Sequence, residues 1–411
     1  MSKTLINGFN VERLLERFNE KFGALGNAVT DGDAAGSSSA NKVHRYFAPG
    51  RVNLIGDHTD YTGGFAFPCG IDSGSMLLIR RTQDNQFRFA STNFDMLAQL
   101  SKDQINKTYG DNWINYPLGV VDQFVKRGFD IDGIDCLFSG NVPNGAGLSS
   151  SASIEVVTAF AINDIFECGL SLMELVKMSQ AAENDFVGMQ CGIMDQFAVA
   201  MAQDNHAILL NCETLEHRQI PLALNDYAIV LANTNQRREL NESAYNERVA
   251  ECARALTLLQ QKFPINALGE LKEADLEQHK SLFDQDNIAY LRAKHVSSEN
   301  ARVHAAVPAL EQGDMMKFGK LMNQSHDSLR DCFHVSSEPL DHLVSAAREH
   351  PGVLGSRLTG AGFGGCTVNL LAKEVCDQFK KSVGETYQEK TGLTADFYTI
   401  SPGAGVRAIN A

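Results

Sequence analysis

The chain has 411 residues, 44% of them hydrophobic, and a formal net charge of −14. A chain of this length can bury a large core and is expected to form two domains or one elaborate unit. Its acidic balance argues against a general surface for nucleic acid or anionic membranes. Its nine cysteines include no Cys-x-x-Cys pair and no Cys/His cluster at zinc spacing, a pattern typical of reduced thiols in a cytoplasm. Because no apolar run approaches the length of a membrane span, we expect a cytoplasmic protein that binds neither nucleic acid nor membrane.

The apolar spacing predicts helices and strands that follow one another in mixed order. In chain order they are a helix over 11–22, strands over 76–80 and 87–89, helices over 113–124 and 170–186, strands over 207–210 and 227–232, a helix over 243–263 and a strand over 366–371. This mixture predicts an α+β fold of two lobes, an N-terminal α/β lobe over 1–218 and a C-terminal α+β lobe over 219–411. The polar, Gly/Ser-rich segment 27–42 is predicted to be a flexible loop.

A loop rich in glycine and serine, residues 140–153, runs directly into a helix-length apolar segment. The first N–H groups of a helix lack internal partners and carry partial positive charge, so such a junction favours phosphate binding. Gly145 and Gly147 allow the backbone to approach an oxyanion closely. Hydroxyls that can cap the helix, bind phosphate or ligate magnesium follow at Ser149, Ser150 and Ser151.

This junction fits neither the Walker phosphate loop nor the dinucleotide fingerprint, because it lacks the Gly-Lys-Ser/Thr ending and the third glycine. An ordinary capped helix is therefore an equally open interpretation of the loop alone. Segment 36–40 repeats almost the same letters, but no apolar periodic run follows it. We interpret that copy as part of the flexible loop.

A second segment, residues 48–64, places short polar side chains on a turn bounded by glycines. Asp57, His58 and Asp60 can bind several hydroxyl groups at once, since carboxylates accept hydrogen bonds and imidazole can donate or accept. Arg51 can supply a fixed positive charge to a phosphoryl group. A surface turn closed by its own side-chain hydrogen bond is the competing interpretation.

Two further segments carry weaker signals. In 191–196, Asp195 is an acidic residue among small and apolar neighbours, so it is either one half of a buried ion pair or a poised acid or base. Segment 358–366 holds a cluster of glycines whose backbone can pack against a ligand or another loop, although such clusters are often only tight turns.

Taken together, these segments and two others resemble the galactokinase branch of the GHMP kinases, a family of sugar and small-metabolite kinases. The segments that carry the resemblance are 50–61 (the galactokinase signature), 143–153 (the phosphate loop), 359–366 (the third, glycine-rich motif), and 191–196, 243–248 and 325–331. They lie in the family's order and span most of the chain. The resemblance implies the two-lobed GHMP kinase fold with its active site in the cleft between the lobes.

The resemblance also implies transfer of the γ-phosphoryl group of ATP to the anomeric O1 hydroxyl of α-D-galactose, with Asp195 as general base and Arg51 beside the transferring group. Implied sugar-binding positions are Asp57, His58, Thr59, Asp60, Gly192 and Tyr245. Implied ATP-binding positions are Gly145, Ala146, Gly147, Leu148, Ser149, Ser150, Ser151 and Trp113, with Ser151 and Glu183 as ligands of Mg²⁺. The implied partners are these small molecules, with no obligate protein partner.

One position departs from the family pattern. Residue 57 is an aspartate where the signature has the longer glutamate, so we expect a sugar contact that is longer or bridged by water. Other family substrates stay open in principle. Segment 58–61 is suited to binding several hydroxyl groups, which mevalonate and homoserine do not need, so it disfavours those two substrates and leaves N-acetylgalactosamine possible.

Two activities outside sugar phosphorylation are also conceivable. A catalytically silent sugar and ATP sensor is disfavoured because the serines of the phosphate loop, Glu183, Asp195 and Arg51 are all present. Hydrolysis by a nucleophilic serine is disfavoured because the chain lacks a G-x-S-x-G elbow.

Overall fold

The computed structural model describes residues 5–23, 42–110, 112–143, 147–236 and 241–409. The strands are β1 (Leu5–Ile6), β2 (Phe9–Asn10), β3 (His44–Asn53), β4 (Phe65–Ala66), β5 (Pro68–Arg81), β6 (Gln86–Ser91), β7 (Leu97–Ser101), β8 (Ile134–Gly140), β9 (His206–Asn211), β10 (His217–Pro221), β11 (Tyr227–Asn233), β12 (Val353–Leu358), β13 (Cys366–Ala372), β14 (Asp396–Ile400) and β15 (Arg407–Ala408). The helices are α1 (Val11–Phe22), α2 (Asn115–Lys126), α3 (Ser150–Ile165), α4 (Leu172–Ala181), α5 (Met194–Met201), α6 (Asn241–Leu259), α7 (Glu273–Gln278), α8 (Asn287–Glu311), α9 (Met315–Ser328), α10 (Glu338–Glu349) and α11 (Cys376–Thr391).

A six-stranded sheet in the order β15-β3-β5-β8-β6-β7 forms the centre of the first lobe. Its strands pair antiparallel except β6 and β8, which are parallel. Residues 76–79 of strand β5 are apolar without a break because both faces of the strand are covered there. Leu77 and Ile79 pack into the core that α2 to α5 share, whereas Met76 and Leu78 point to the other face, where α1 lies.

The second lobe is built on an antiparallel four-stranded sheet in the order β12-β13-β11-β14. Helices α10 and α11 cover one face of this sheet, and α8 and α9 cover the other. The core under α8 and α9 also contains Val52 and Leu54, which belong to the end of β3 and the residues after it. The end of β3 is therefore packed against the second lobe, at the place where the two lobes meet.

The predicted helix over 11–22 is confirmed by α1, and the predicted strands lie within β5, β6, β9, β11 and β13. The helix predicted over 113–124 begins two residues later, and that over 170–186 ends as a wider π-helical turn over Ala182–Val187. The predicted boundary between the lobes at residue 218 stays a prediction. Residue 218 lies within β10, and β15, near the end of the sequence, pairs with β3 of the first lobe. Of the predicted flexible loop 27–42, all but position 42 lies outside the described residues. Within the described ranges, no helix is long and apolar enough to cross a membrane.

A buried ion pair joins the turn after β3 to the end of β12. The guanidinium of Arg357 bonds the carboxylate of Asp57, and the two side chains are 0% and 1% exposed. Arg357 Nη1 also donates to the carbonyl of Asn53 at 3.0 Å, and the Gly360 N–H donates to Asp57 Oδ1 at 3.2 Å. Burial raises the pKa of Asp57, and the neighbouring Arg357 charge opposes that rise.

Replacing Arg357 by methionine keeps much of its volume but leaves Asp57 without its cation. We expect Arg357→Met to lower the free energy of unfolding by about 3–5 kcal/mol, because a buried carboxylate then lacks compensation. Urea denaturation measures this loss. Arg17→Met is the matched control: its partner Glu20 lies 3.3 Å away on an exposed helix face, so the loss should be at most about 1 kcal/mol. Equal losses in the two variants would contradict the structural role of the Arg357 pair.

Candidate active site

A cavity of about 240 Å³ opens where the two lobes meet. It is bounded by the turn after β3, the loop before α3, the start of α5, the side of α6 and the glycine-rich segment after β12. The residues that line it are Arg51, Asp57, His58, Asp60, Tyr116, Gly147, Leu148, Ser149, Ser150, Ser151, Glu183, Met189, Cys191, Gly192, Met194, Asp195, Tyr245, Gly360 and Ala361. Segments far apart in sequence therefore converge on one site.

The loop before α3 is held against β3 by Arg51. The backbone N–H of Arg51 donates to the Leu148 carbonyl at 3.1 Å, and its side-chain Nη1 donates to the Gly147 carbonyl at 2.7 Å. Ser149 is the N-cap residue of α3, but its side chain makes no capping hydrogen bond. The first N–H groups of α3 therefore have no side-chain cap from the N-cap residue, and they can face an anion in the cavity. Gly145 and Ala146 of the predicted phosphate loop lie outside the described residues.

Asp195 lies in the first turn of α5 and forms a two-pronged pair with Arg51. Arg51 Nε donates to Asp195 Oδ1 and Nη2 donates to Oδ2, both at 2.8 Å. The Arg51 side chain is 5% exposed and that of Asp195 is 27% exposed, so the arginine is fixed in the wall while the carboxylate faces the cavity. Charge-assisted, bidentate bonds of this kind fix both distance and orientation.

Two buried carboxyl groups, those of Glu155 and Glu183, share one hydrogen-bond donor near the loop before α3. Gln196 Nε2 donates to Glu155 Oε2 at 3.0 Å and to Glu183 Oε2 at 2.6 Å, and all three side chains are buried. Burial, followed by the charge of Asp195, raises the pKa of Glu183 to about 7. Burial and the charge of Glu183 raise the pKa of Glu155 as well.

The Ser151 hydroxyl also hydrogen-bonds Glu183. A hydroxyl and a carboxylate are the hard oxygen donors that Mg²⁺ prefers when substrate phosphates and water complete its shell. Among the described residues, no cluster of three or more His, Cys, Asp or Glu side chains can hold a metal by itself. The donor set at Ser151 and Glu183 therefore fits a cation that arrives with a phosphate ligand.

The opposite end of the cavity is polar and aromatic. His58 Nε2 lies 3.1 Å from the Ala361 carbonyl, which can only accept, so this nitrogen carries the proton, and Nδ1 accepts from the Tyr61 hydroxyl at 2.9 Å. Burial lowers the pKa of His58 to about 3, so the ring is neutral. Tyr245 reaches the same place from α6, with its ring 5.7 Å from His58 and 5.4 Å from Tyr61.

Asp60 lies beside these rings and against Gly192. A Cβ added to Gly192 would lie 2.2 Å from Asp60 Oδ2, so a glycine is required there for the carboxyl group to keep its position. Burial, reinforced by the charges of Asp195 and Asp57, raises the pKa of Asp60 to about 7. The carboxyl group changes its charge near neutral pH and faces a cavity, which is typical of a functional group.

The structure brings most of the predicted site residues together, with two exceptions among those described. Thr59 is buried beneath the turn, where its hydroxyl lies 2.9 Å and 2.8 Å from the carbonyls of Gly56 and Phe65. Trp113 packs against Phe94 and Phe138 and does not line the cavity. Asp57 does line it, but its Oδ2 accepts from Arg357 and its Oδ1 from the Gly360 N–H. The predicted sugar contact at this position stays a prediction.

The sequence alone did not point to Tyr116, Glu155, Gln196 or Arg357. Three of them adjoin recognised motifs: Gln196 follows Asp195, Arg357 precedes the glycine-rich segment, and Glu155 lies one helical turn after Ser151. Their proximity to the motifs was a signal, but a partner more than ten residues away cannot be read from sequence spacing.

The raised pKa of Asp60 makes a prediction about stability. Its ordinary pKa is 3.8 and its folded value is about 7, so the folded protein holds this proton more tightly than the unfolded chain does. The free energy of unfolding is therefore lowered as pH rises through about 7, where the folded carboxyl group loses its proton. Asp60→Asn cannot ionise, and its advantage in Tm over the wild type should grow between about pH 5 and about pH 8. Thermal denaturation at several pH values measures this difference. A difference in Tm that does not change with pH would contradict the raised pKa.

Known proteins match the chain along most of its length. The family model for the GHMP kinases N terminal domain matches residues 115–203, the galactokinase galactose-binding signature matches 35–81, and the GHMP kinases C terminal model matches 306–385. The galactokinase of Clostridium acetobutylicum is 48% identical over 368 residues, which are 89% of this chain and 94% of that protein. The galactokinase of Enterococcus faecalis is 44% identical over 401 residues, which are 97% of this chain and 99% of that protein.

Solved structures give the same result. The crystal structure of Lactococcus lactis galactokinase complexed with galactose has a TM-score of 0.91 and 38% identity, and covers 97% of this chain and 100% of its own. The mevalonate kinase of Methanococcus jannaschii has a TM-score of 0.61 at 20% identity, over 90% of this chain and 99% of its own, which reflects the shared fold. These matches confirm the two-lobed GHMP kinase fold predicted from the sequence. The chain belongs to the galactokinases of the GHMP kinase family and is an ATP-dependent sugar kinase.

Proposed function

We propose that the protein transfers the γ-phosphoryl group of ATP to the anomeric O1 hydroxyl of α-D-galactose, giving galactose 1-phosphate and ADP. The observation that carries this proposal is the position of Asp195, whose carboxylate is fixed by Arg51. It lines the same cavity as the start of α3 and the polar end. The Lactococcus lactis relative, solved with galactose, supports the choice of sugar. The galactokinase galactose-binding signature, which spans Arg51 and Asp60, supports it as well.

In this mechanism the sugar lies at the polar end, against Asp60, His58 and Tyr245. Asp195 takes the proton of the O1 hydroxyl as the oxygen attacks the γ-phosphorus. The new O–P bond forms while the bond from the γ-phosphorus to the bridging oxygen breaks, and ADP leaves with that electron pair. Arg51 then faces the charge that develops on the transferring group, so the protein acts by positioning and by charge stabilisation.

The phosphate groups of ATP would lie at the uncapped start of α3, where Gly147 and Ser150 lie. Ser151 and Glu183 would hold Mg²⁺ together with those phosphates, and the cation would neutralise their charge. Glu183 must give up its proton to serve as such a ligand. Trp113, which does not line the cavity, stays a predicted contact on the adenine side.

The experiment that tests the proposal incubates purified protein with ATP, magnesium and one sugar at a time, and follows sugar phosphate and ADP. Galactose should be phosphorylated and glucose should be rejected, because a buried polar group left unpaired costs about 1–3 kcal/mol. N-acetylgalactosamine belongs in the same panel. A clear preference for that sugar, or ATP binding without any sugar phosphate, would overturn the proposal.

Asp195→Asn should reduce kcat by about 10²- to 10⁴-fold, because it removes a positioned general base. Sugar binding, measured by calorimetry with galactose alone, should persist, since the amide keeps the shape of the side chain. The variant's unfolding transition serves as a control for correct folding. A folded variant with turnover near that of the wild type would rule out Asp195 as the base.

Gly192→Ala should raise the KM for galactose and leave the KM for ATP close to its wild-type value. The reason is steric: the added Cβ would lie 2.2 Å from Asp60 Oδ2 and displace that carboxyl group. Gly140→Ala is the matched control, since its Cβ would meet only Asn93 Oδ1, at 3.8 Å. If both KM values of Gly192→Ala change equally, Asp60 does not act on the sugar alone.

A further inference from the structure

Ser149 has a backbone conformation that its side chain does not favour. Its φ of 58° and ψ of 47° lie in the left-handed region, which costs a residue with a Cβ roughly 1–2 kcal/mol. The usual reason for a serine at an N-cap is a hydrogen bond from its hydroxyl to the start of the helix. Ser149 makes no such bond. Helix capping therefore does not explain why a strained serine occupies this position.

The hydroxyl of Ser149 points to the candidate base instead. Ser149 Oγ donates to Asp195 Oδ2 at 2.5 Å, and both side chains are in the wall of the same cavity. With this left-handed backbone the hydroxyl bonds Asp195 on α5 and makes no bond to the start of α3. A hydroxyl that donates to Asp195 in this way is also not oriented as a cap for the helix, so the N–H groups at the start of α3 keep their capacity to bind an anion.

The two oxygens of Asp195 are not equivalent. A carboxylate offers about four acceptor positions, two on each oxygen. Arg51 donates to both oxygens, and Ser149 adds a second donor to Oδ2. Arg51 Nη2 also lies 2.8 Å from Oδ1, so Arg51 contacts both oxygens closely. Ser149 is the further donor, and it bonds Oδ2 alone.

We propose that Ser149 is a positioning residue for Asp195, and that its hydroxyl and Arg51 together fix the carboxylate that receives the substrate proton. This inference rests on the proposed function, in which Asp195 is the general base. The proton passes from the sugar O1 to the Asp195 carboxylate while the O–P bond forms, and the Ser149 hydroxyl keeps its own proton throughout. The role differs from phosphate binding, which the family resemblance implies for the whole loop.

Two substitutions separate the hydroxyl from the backbone. Ser149→Gly removes the hydroxyl and relieves the left-handed strain, whereas Ser149→Ala removes the hydroxyl and keeps the strain. We expect kcat to fall by about 10- to 100-fold in both, the rate equivalent of a hydrogen bond to a charged group. The KM for ATP should stay close to the wild-type value, and Ser149→Gly should unfold at a temperature no lower than Ser149→Ala, which keeps the strain.

Ser150→Ala provides the contrast. Ser150 is the next residue and the first of α3, and as a phosphate contact it should affect the KM for ATP more than kcat. If Ser149→Gly raises the KM for ATP in the same way and leaves kcat unchanged, Ser149 is a phosphate ligand and the proposal is wrong. If Ser149→Gly retains full activity, the hydroxyl has no role and the proposal is wrong as well.

A double-mutant cycle tests the contact without any substrate. The unfolding free energies of Ser149→Gly, Asp195→Ala and the double variant should be non-additive, because the two side chains are bonded directly. Additive values would overturn the proposal even in an active enzyme. Non-additive values in a protein that does not phosphorylate galactose would support the Ser149 contact and refute only the proposed function, so the two failures can be told apart.

Discussion

The pair formed by Arg51 and Asp195 is the interaction on which the rest of the site depends. One guanidinium on β3 binds the loop before α3 through the Gly147 carbonyl, 96 positions away, and the start of α5 through Asp195, 144 positions away. This arrangement needs the planar, five-donor geometry of arginine, since a lysine would bind as a point charge and could not hold both partners at fixed angles. The loop before α3 and the start of α5 are thereby bound to the same strand.

A second set of contacts closes the other side of the cavity. The turn after β3 is tied to the glycine-rich segment of the second lobe through Asp57, Arg357 and the backbone of Gly360. His58 reaches the carbonyl of Ala361 in the same segment. These bonds are buried, where unpaired charge is costly, and so they hold the two lobes in a defined relation. The polar end of the site is therefore built by both lobes together.

The site is not optimised for stability. Asp60 and Glu183 have pKa values raised to about 7, Glu155 adds another buried carboxyl group, and Ser149 holds a left-handed backbone. Each of these features costs folding free energy, and together they are concentrated around one cavity. Such a concentration is expected where a protein keeps charged groups ready for substrate and cation, which relieve the cost when they bind.

The sequence by itself determined the motifs and some of the elements. Local spacing was enough to predict α1, the part of β5 over 76–80 and the junction at α3, because periodicity and helix-start chemistry act over a few residues. The family resemblance added the roles of Asp195 and Arg51, which spacing alone left undecided between a structural ion pair and catalysis.

Only the tertiary structure decided how the side chains use their bonds. The Ser149 hydroxyl bonds Asp195, 46 positions away, and not the start of its own helix. Asp57 is paired with Arg357, 300 positions away. The exclusion of Thr59 and Trp113 from the cavity wall depends equally on packing. Long-range pairing is set by the assembled fold, in which burial removes water as an alternative partner, and no local pattern in the chain specifies which distant group a buried polar atom will bind.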